Sequence, residues 1–322
     1  MSIHGSHLAL EIDLARRAVR TASQLCMAAA SARLARLEKR EREPVTIADF
    51  GSQAVLLRAI ATEFPGDEIR AEEGSRDLAA GGDAAVAGVV GAVTNTIGES
   101  VTSSEVFGWI DQRGRPGDRF WAVDPIDGTK GFLRGEQFAV AVGLVENGIP
   151  VLGVLGCPRL ELSGMHGVLV WGGPGIGAFV ESLGGGKVRS IAVSGISDPS
   201  RARMLGSVES SHGDPELLQR IVEHVGIGGG WVRIDSQAKY AAVAAGMADV
   251  YVRPRNRDDW RERVWDHAAG AAIVSGAGGT ISDLDGLLLD FTTGDQLENN
   301  RGLVVSNGAM HASVLAALAE IG

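Results

Sequence analysis

Asp124-Pro-Ile-Asp-Gly-Thr129 gathers two carboxylates, a stiff turn and a hydroxyl into one short stretch, directly after the apolar run Phe120-Trp-Ala-Val123. The residue before a proline is pushed out of helical geometry, so the order predicts Asp124 at the carboxyl end of a strand. Asp127 and Gly128 then turn the chain and leave Thr129 to open the next element. Two acids held on so short a turn repel each other unless a cation lies between them. Hard divalent ions such as Mg²⁺ take oxygen ligands of this kind. The residue types point to a metal site.

Three further acidic positions could join it. Glu72 and Glu73 end a predicted strand over Glu68–Glu73, Asp49 opens a predicted helix running to Glu63, and Asp266 lies in Val264-Trp-Asp-His-Ala-Ala-Gly270. Each also has a plain structural reading: Asp49 as a helix cap or first-turn acid, the Glu pair as solvated, Asp266 as the N-cap of a helix ending near Gly276. Spacing alone does not bring them together. In the second half, Ser236, Gln237 and Lys239 begin a predicted helix where a hydroxyl and an ammonium could meet an anion. Arg253 ends a predicted strand, and Ser210-Ser-His-Gly213 follows another, Met204–Val208. Here too the alternatives stay open: a solvated Lys239, a surface His212, and an Arg253 within an ion-pair cluster with Arg255, Arg257, Asp258 and Asp259.

The elements that must position these groups change character along the chain. Leu8–Leu37 reads as a long amphipathic helix, and Glu38–Glu43 as a charged, solvated loop ending at Pro44. Phe64-Pro-Gly-Asp67 breaks the helix that carries Asp49. The stretch 74–118 shows little pattern beyond two short helices. Phe138–Val145, the turn Asn147-Gly148 and Val151–Leu155 form a predicted hairpin. Trp171-Gly-Gly-Pro-Gly-Ile-Gly177 resembles a dinucleotide loop only superficially: no helix pattern follows, which favours a turn between strands. After Ser182, strands and helices alternate. Helices followed by strands give way to α/β near residue 160, which predicts an α+β metal-site domain over 1–160 and an α/β substrate-binding domain over 161–322.

Bulk properties exclude other classes. The 322 residues are 45% hydrophobic, enough for a full core, and the net charge of −10 argues against binding a nucleic acid polymer. No apolar run is long enough for a membrane span, and Met1-Ser-Ile-His-Gly-Ser6 lacks the basic-then-apolar order of an export signal. Cys26 and Cys157 read as isolated buried thiols. The expectation is a cytoplasmic protein without a membrane or nucleic-acid partner.

Asp124–Phe138 and Trp265-Asp-His-Ala-Ala-Gly270 resemble the two signature motifs of the inositol monophosphatase superfamily, Mg²⁺-dependent and lithium-sensitive phosphatases. Lys130-Gly-Phe-Leu-Arg-Gly135 resembles one branch, the 3′(2′),5′-bisphosphate nucleotidases. Pro44-Val-Thr-Ile-Ala-Asp-Phe-Gly-Ser-Gln53, Glu72-Glu73 and Asp235-Ser-Gln-Ala-Lys-Tyr240 match further motifs of that branch. Ala71 departs from the glycine often found before the Glu pair, without removing a ligand. The resemblance implies a layered αβαβα sandwich of the sugar-phosphatase type and two or three Mg²⁺ ions. Glu72, Asp124 and the Ile126 carbonyl would hold the first ion; Asp124, Asp127 and Asp266 would hold the second. Asp49 and Thr129 would activate water, with Gly128 and Thr129 N–H groups facing the phosphate. His212, Ser236, Lys239 and Arg253 would bind the rest of the substrate, and the Glu38–Glu43 loop would be a flap. The implied reaction removes the 3′-phosphate of adenosine 3′,5′-bisphosphate, with phosphoadenylyl sulfate as a further substrate, in a monomer or homodimer. An inositol or sugar phosphate phosphatase is the alternative, and a non-catalytic nucleotide sensor a third reading.

Overall fold

Apolar residues every three to four positions wind Ala9–Ser31 into helix α1, which buries Ile12, Ala15, Val19, Ala22 and Cys26. The computed structural model describes residues 7–31, 36–38, 44–208, 214–254 and 261–321. The helix does not reach Leu37 as expected, because Arg36–Glu38 is a strand, β1, paired antiparallel with β2 (Pro44–Thr46). The charged stretch 39–43 lies outside the described residues. Helix α2 (Ile47–Glu63) starts on a capping box in which Thr46 and Asp49 bond reciprocally. It stops at Phe64, before the proline. Strand β3 (Glu68–Ala71) follows, then three helices in the stretch expected to hold two: α3 (Ser75–Ala80), α4 (Asp83–Ile97) and α5 (Ser103–Ile110). Helix α4 is so rich in alanine, glycine and valine that it shows no polar face, and only its glycine-bounded ends mark it.

Strand β4 (Arg119–Asp127) carries the acidic turn, and α6 (Thr129–Arg134) follows. An antiparallel run completes the first sheet: β5 (Ala139–Glu146), β6 (Ile149–Leu162), β7 (Met165–Gly173), β8 (Gly177–Ser182) and β9 (Arg189–Ile191). Among the described residues this sheet has seven strands in the order β3 to β9, with only the β3–β4 pair parallel. Pro174-Gly175-Ile176 is the turn between β7 and β8, as the missing helix pattern predicts. Residue 160, the expected domain boundary, falls inside β6; the change of sheet comes between Ile191 and Met204. Strands β6 to β9 continue the first sheet beyond it, with residues of β6 and β7 buried on both faces.

The second part alternates β10 (Met204–Gly206), α7 (Pro215–Val225), β11 (Trp231–Arg233), α8 (Ala238–Ala244), β12 (Val250–Arg253), α9 (Ala268–Gly276), β13 (Thr280–Ser282), β14 (Leu303–Ser306) and α10 (His311–Ile321). Its strands order as β11-β10-β12-β14-β13. The period of two along the strands builds the layers. Trp121 and Val123 point into a core with α1 and α2, whereas Phe120 and Ala122 point into a second core with α8 and α9. Tyr251 enters that second core, and its neighbours Val250 and Val252 enter a third with α7 and α10. The result is a five-layer αβαβα sandwich. Helix α9 lies close against the first sheet: a Cβ on Gly153 would sit 2.0 Å from the Ala269 carbonyl oxygen, so that contact requires glycine. Cys26 and Cys157 are buried and free. No described helix is long and apolar enough to cross a membrane.

Candidate active site

Parallel pairing of β3 with β4 brings the first two acids together. The register sets Ala71 against Val123, so Glu72, just past the end of β3, comes beside Asp124 within β4. Pro125 follows, and the pairing of β4 with β5 shifts register between Asp124 and Asp127. Gly128 then turns the chain with φ +89°, and a Cβ there would stand 3.0 Å from that of Ser236. Only glycine suits both demands.

Helix α2 supplies the wall behind this turn. Asp49 Oδ2 accepts from the Thr46 backbone at 2.7 Å and from its hydroxyl at 2.5 Å. Its other oxygen faces the Thr129 hydroxyl at 3.4 Å, and that hydroxyl also lies 3.2 Å from the Ile126 carbonyl. Asp49 is thus a helix cap with one oxygen and a neighbour of Thr129 with the other. Ser52 Oγ donates to the Pro125 carbonyl at 2.9 Å. Gln53, fully buried, accepts from Glu73 N at 2.8 Å and donates to Glu73 O at 2.7 Å and Ile110 O at 3.0 Å. One helix face therefore fixes both strand ends.

The opposite wall comes from the second part. Ser236 adopts φ +63°, uncommon for a residue with a side chain, and this directs the Gln237 N–H at Asp127 Oδ2. The Gln237 amide donates to the Trp265 carbonyl at 2.9 Å and accepts from Gly270 N at 3.4 Å, bracketing the turn that presents Asp266. Asp266 closes a 3₁₀ turn, Val264–Asp266, and the N-cap of α9 is His267, so the capping reading of Asp266 does not hold. Lys239 is buried rather than solvated: its ammonium donates to Ser207 Oγ at 3.0 Å and lies 5.0 Å from the Tyr251 ring centre. Arg253 pairs with Glu262, at 3.0 Å from each carboxylate oxygen. Its expected neighbours 255–259, like His212 and its loop, lie outside the described residues.

Electrostatics single out the same acids. Burial raises the Asp124 carboxyl well above the ordinary range, and Glu72, Asp127, Asp266 and Asp49 raise it further by repulsion. Burial also raises Asp127, opposed by Lys239, the Gln237 N–H and Arg253. Asp266 is raised well above normal by burial, opposed by Arg253 and reinforced by Asp127, Glu262 and Glu72. Among the described residues, the buried Asp124 Oδ1 has no hydrogen-bond partner. Mutually repelling carboxylates around an unpartnered buried oxygen fit a hard divalent cation. A second trio, Glu262, Asp266 and His267, has ligand-type atoms within 4.8 Å of one another. There Glu262 bonds His267 Nε2 at 3.0 Å and His267 Nδ1 bonds the Tyr240 hydroxyl at 2.6 Å. Those two groups are already satisfied, and Asp266 alone of the three belongs with the acidic centre.

The structure thus brings Asp49, Glu72, Asp124, Asp127, Thr129 and Asp266 to one centre, with Ser236, Lys239 and Arg253 along its far wall. Sequence reasoning assigned no role to Ser52, Gln53, Gln237, Glu262 or His267. A signal existed for Ser52 and Gln53, polar residues three and four positions after Asp49 on the same face of a largely apolar helix.

A layered sandwich with a carboxylate-lined centre at the ends of parallel strands defines a cation-binding sugar-phosphatase type of fold. The chain belongs to the inositol monophosphatase family, whose model matches residues 9–322. Among curated relatives, a 3′(2′),5′-bisphosphate nucleotidase of Oryza sativa is 37% identical over 342 aligned residues, covering 98% of this chain and 95% of the relative. The 3′(2′),5′-bisphosphate nucleotidase 1 of Candida albicans is 35% identical, covering 97% and 95%. In fold, the chain is similar to the Thermotoga maritima IMPase, with a TM-score of 0.68, 23% identity and 97% of each chain covered. It is also similar to an inositol monophosphatase from Anabaena, with a TM-score of 0.66, 23% identity and coverage of 98% and 97%.

Proposed function

We propose that this chain is a Mg²⁺-dependent phosphatase that removes the 3′-phosphate of adenosine 3′,5′-bisphosphate, with phosphoadenylyl sulfate as a further substrate. The observation that carries the reading is the pairing of an acidic centre around Asp124 with two cationic groups on the facing wall, the buried Lys239 and the partly exposed Arg253. The nucleotidase names of relatives matched over nearly the whole chain support it.

Glu72, Asp124 and the Ile126 carbonyl are the residues that would hold one ion; Asp124, Asp127 and Asp266 would hold a second, with Asp124 shared. Bound Mg²⁺ supplies charge to neutralise the phosphate and lowers the pKa of the attacking water. The protein's own groups do the rest. The Thr129 hydroxyl donates toward Asp49 or Ile126, which leaves its lone pairs to accept from an incoming water. Asp49 Oδ1 then takes the Thr129 hydroxyl proton as Thr129 takes one from the water, while the capping bonds keep Oδ2 in place; the P–O3′ bond breaks and the released 3′-oxygen takes a proton from solvent. Gly128 and Thr129 N–H groups orient the scissile phosphate, and Ser236, Lys239 and Arg253 bind the second one. His212 is assigned to the nucleoside side. The two parts divide the work: the first sheet presents Glu72, Asp124 and Asp127, and the second part presents the cations, Lys239 from α8 and Arg253 from β12.

Phosphate release from a panel tests this: adenosine 3′,5′-bisphosphate, inositol 1,4-bisphosphate, inositol 1-phosphate and fructose 1,6-bisphosphate, each with Mg²⁺ and with EDTA. The expected result is Mg²⁺-dependent release with the highest kcat/KM on the nucleotide. Preference for an inositol or sugar ester would reassign the substrate, and no release from any ester would leave a sensor.

A further inference from the structure

We propose that Glu262 is a positioning residue that fixes the orientation of Arg253 and thereby sets the preference for a substrate with a second phosphate. The inference rests on the nucleotidase reading above. Arg253 Nε donates to Glu262 Oε1 at 3.0 Å, and Nη2 lies 3.0 Å from Oε2. Two parallel bonds fix the plane of a guanidinium as well as its place. Glu262 is itself held, because His267 Nε2 lies 3.0 Å from its Oε2 and His267 Nδ1 lies 2.6 Å from the Tyr240 hydroxyl. Glu262, His267 and Tyr240 are 6%, 1% and 2% exposed, whereas the Arg253 side chain is 25% exposed. The frame is closed behind the arginine and open in front of it.

The fork engages Nε and one Nη2 hydrogen, leaving the remaining guanidinium hydrogens for an anion. Arg253 and His267 hold the Glu262 carboxyl down at about 2 against the effect of burial, so the fork stays charged throughout the neutral range. Glu262 also keeps Arg253 off the acidic centre. Its carboxylate and that of Asp266 have oxygens within 4.8 Å, and Arg253 already attracts both Asp266 and Asp127. Released from Glu262, the guanidinium would turn to Asp266 instead of to the substrate.

The test is a double-mutant cycle on the full chain with Mg²⁺: Glu262→Gln, Arg253→Ala and both together. KM and kcat are measured on adenosine 3′,5′-bisphosphate and on adenosine 3′-monophosphate. Losing a charge-assisted hydrogen bond predicts that Glu262→Gln raises the bisphosphate KM roughly tenfold or more relative to the monophosphate KM. In the Arg253→Ala background the same change should add nothing further. Equal losses on both substrates, or effects that add in the double variant, would overturn the inference and leave Glu262 a structural residue. Should Arg253→Ala by itself leave the bisphosphate KM unmoved, the nucleotidase reading falls and takes the inference with it. If Glu262→Gln does not fold, Arg253→Lys asks the same question. It keeps the charge but cannot fork, so its bisphosphate KM should rise as in Arg253→Ala, and a wild-type KM would overturn the inference.

Discussion

Gln53 offers a quantitative test of how α2 builds the acidic centre. In Gln53→Ala the Glu73 N–H loses its acceptor inside a fully buried corner. Glu73 O and Ile110 O each keep a bond from Arg113, at 3.0 and 2.8 Å, so one backbone donor is orphaned rather than three groups. An orphaned buried donor costs about 1–3 kcal/mol, and the truncated side chain leaves a void worth roughly 1 kcal/mol more. The expected loss is therefore about 2–4 kcal/mol. Unfolding entropy near 2.1 cal/mol/K per residue gives roughly 0.7 kcal/mol/K for 322 residues, so Tm should fall by about 3–6 °C. Gln53→Glu is isosteric but should be worse: it keeps the acceptor, turns an oxygen toward two carbonyls, and buries a new charge beside the acids. Calorimetry in EDTA reads the stability, and Mg²⁺ titration reads the site. Because Glu72 adjoins the loosened corner, both variants should bind Mg²⁺ more weakly with every proposed ligand still present. A Tm within 1 °C of wild type for Gln53→Ala, or a milder Gln53→Glu, would refute the reasoning.

The raised Asp124, Asp127 and Asp266 carboxyls mean that the metal-free folded state binds more protons than the unfolded chain. Their contribution to stability is full below the ordinary carboxylate pKa of about 3.8 and is lost as pH rises through the raised values. In EDTA, Tm should fall from about pH 5 to about pH 8, and the Tm gain on adding Mg²⁺ should be larger at the higher pH; an equal gain at both would contradict the cluster. Asp127→Asn should abolish turnover yet keep the fold, since an amide oxygen can still accept from Gln237 N. Circular dichroism and a metal-free Tm no lower than wild type would bear this out, and near-native activity with Mg²⁺ would contradict it.

Much of this site was legible because its groups sit in short motifs whose turn chemistry is local. Glycine after Asp127 dictates a left-handed turn without reference to the rest of the chain, whereas Pro125 does not end the strand at Asp124 as expected: β4 absorbs it as a register shift and runs on to Asp127. Thr46 three residues before Asp49 is likewise a local signature, and it masks a second use of the same side chain. The juxtaposition of Glu72 with Asp124 was not legible from spacing, because it depends on a parallel pairing across 52 positions. The Arg253–Glu262 fork escaped for a related reason. Acids at 258 and 259 stand nearer in sequence, and no local signal marks Glu262, nine residues on, as the partner that Arg253 forks against. The point where one sheet gives way to the next, between Ile191 and Met204, was not legible either, because a run of strands does not say which sheet each one joins.

Which ester bond breaks is read from the nucleotide left behind. Adenosine 3′,5′-bisphosphate is incubated with the full chain in Mg²⁺ and in EDTA, and the products are resolved by chromatography against both adenosine monophosphates. Cleavage at the 3′ ester gives adenosine 5′-monophosphate and one equivalent of phosphate, expected with Mg²⁺ only. Accumulation of adenosine 3′-monophosphate, or undiminished release in EDTA, would contradict it.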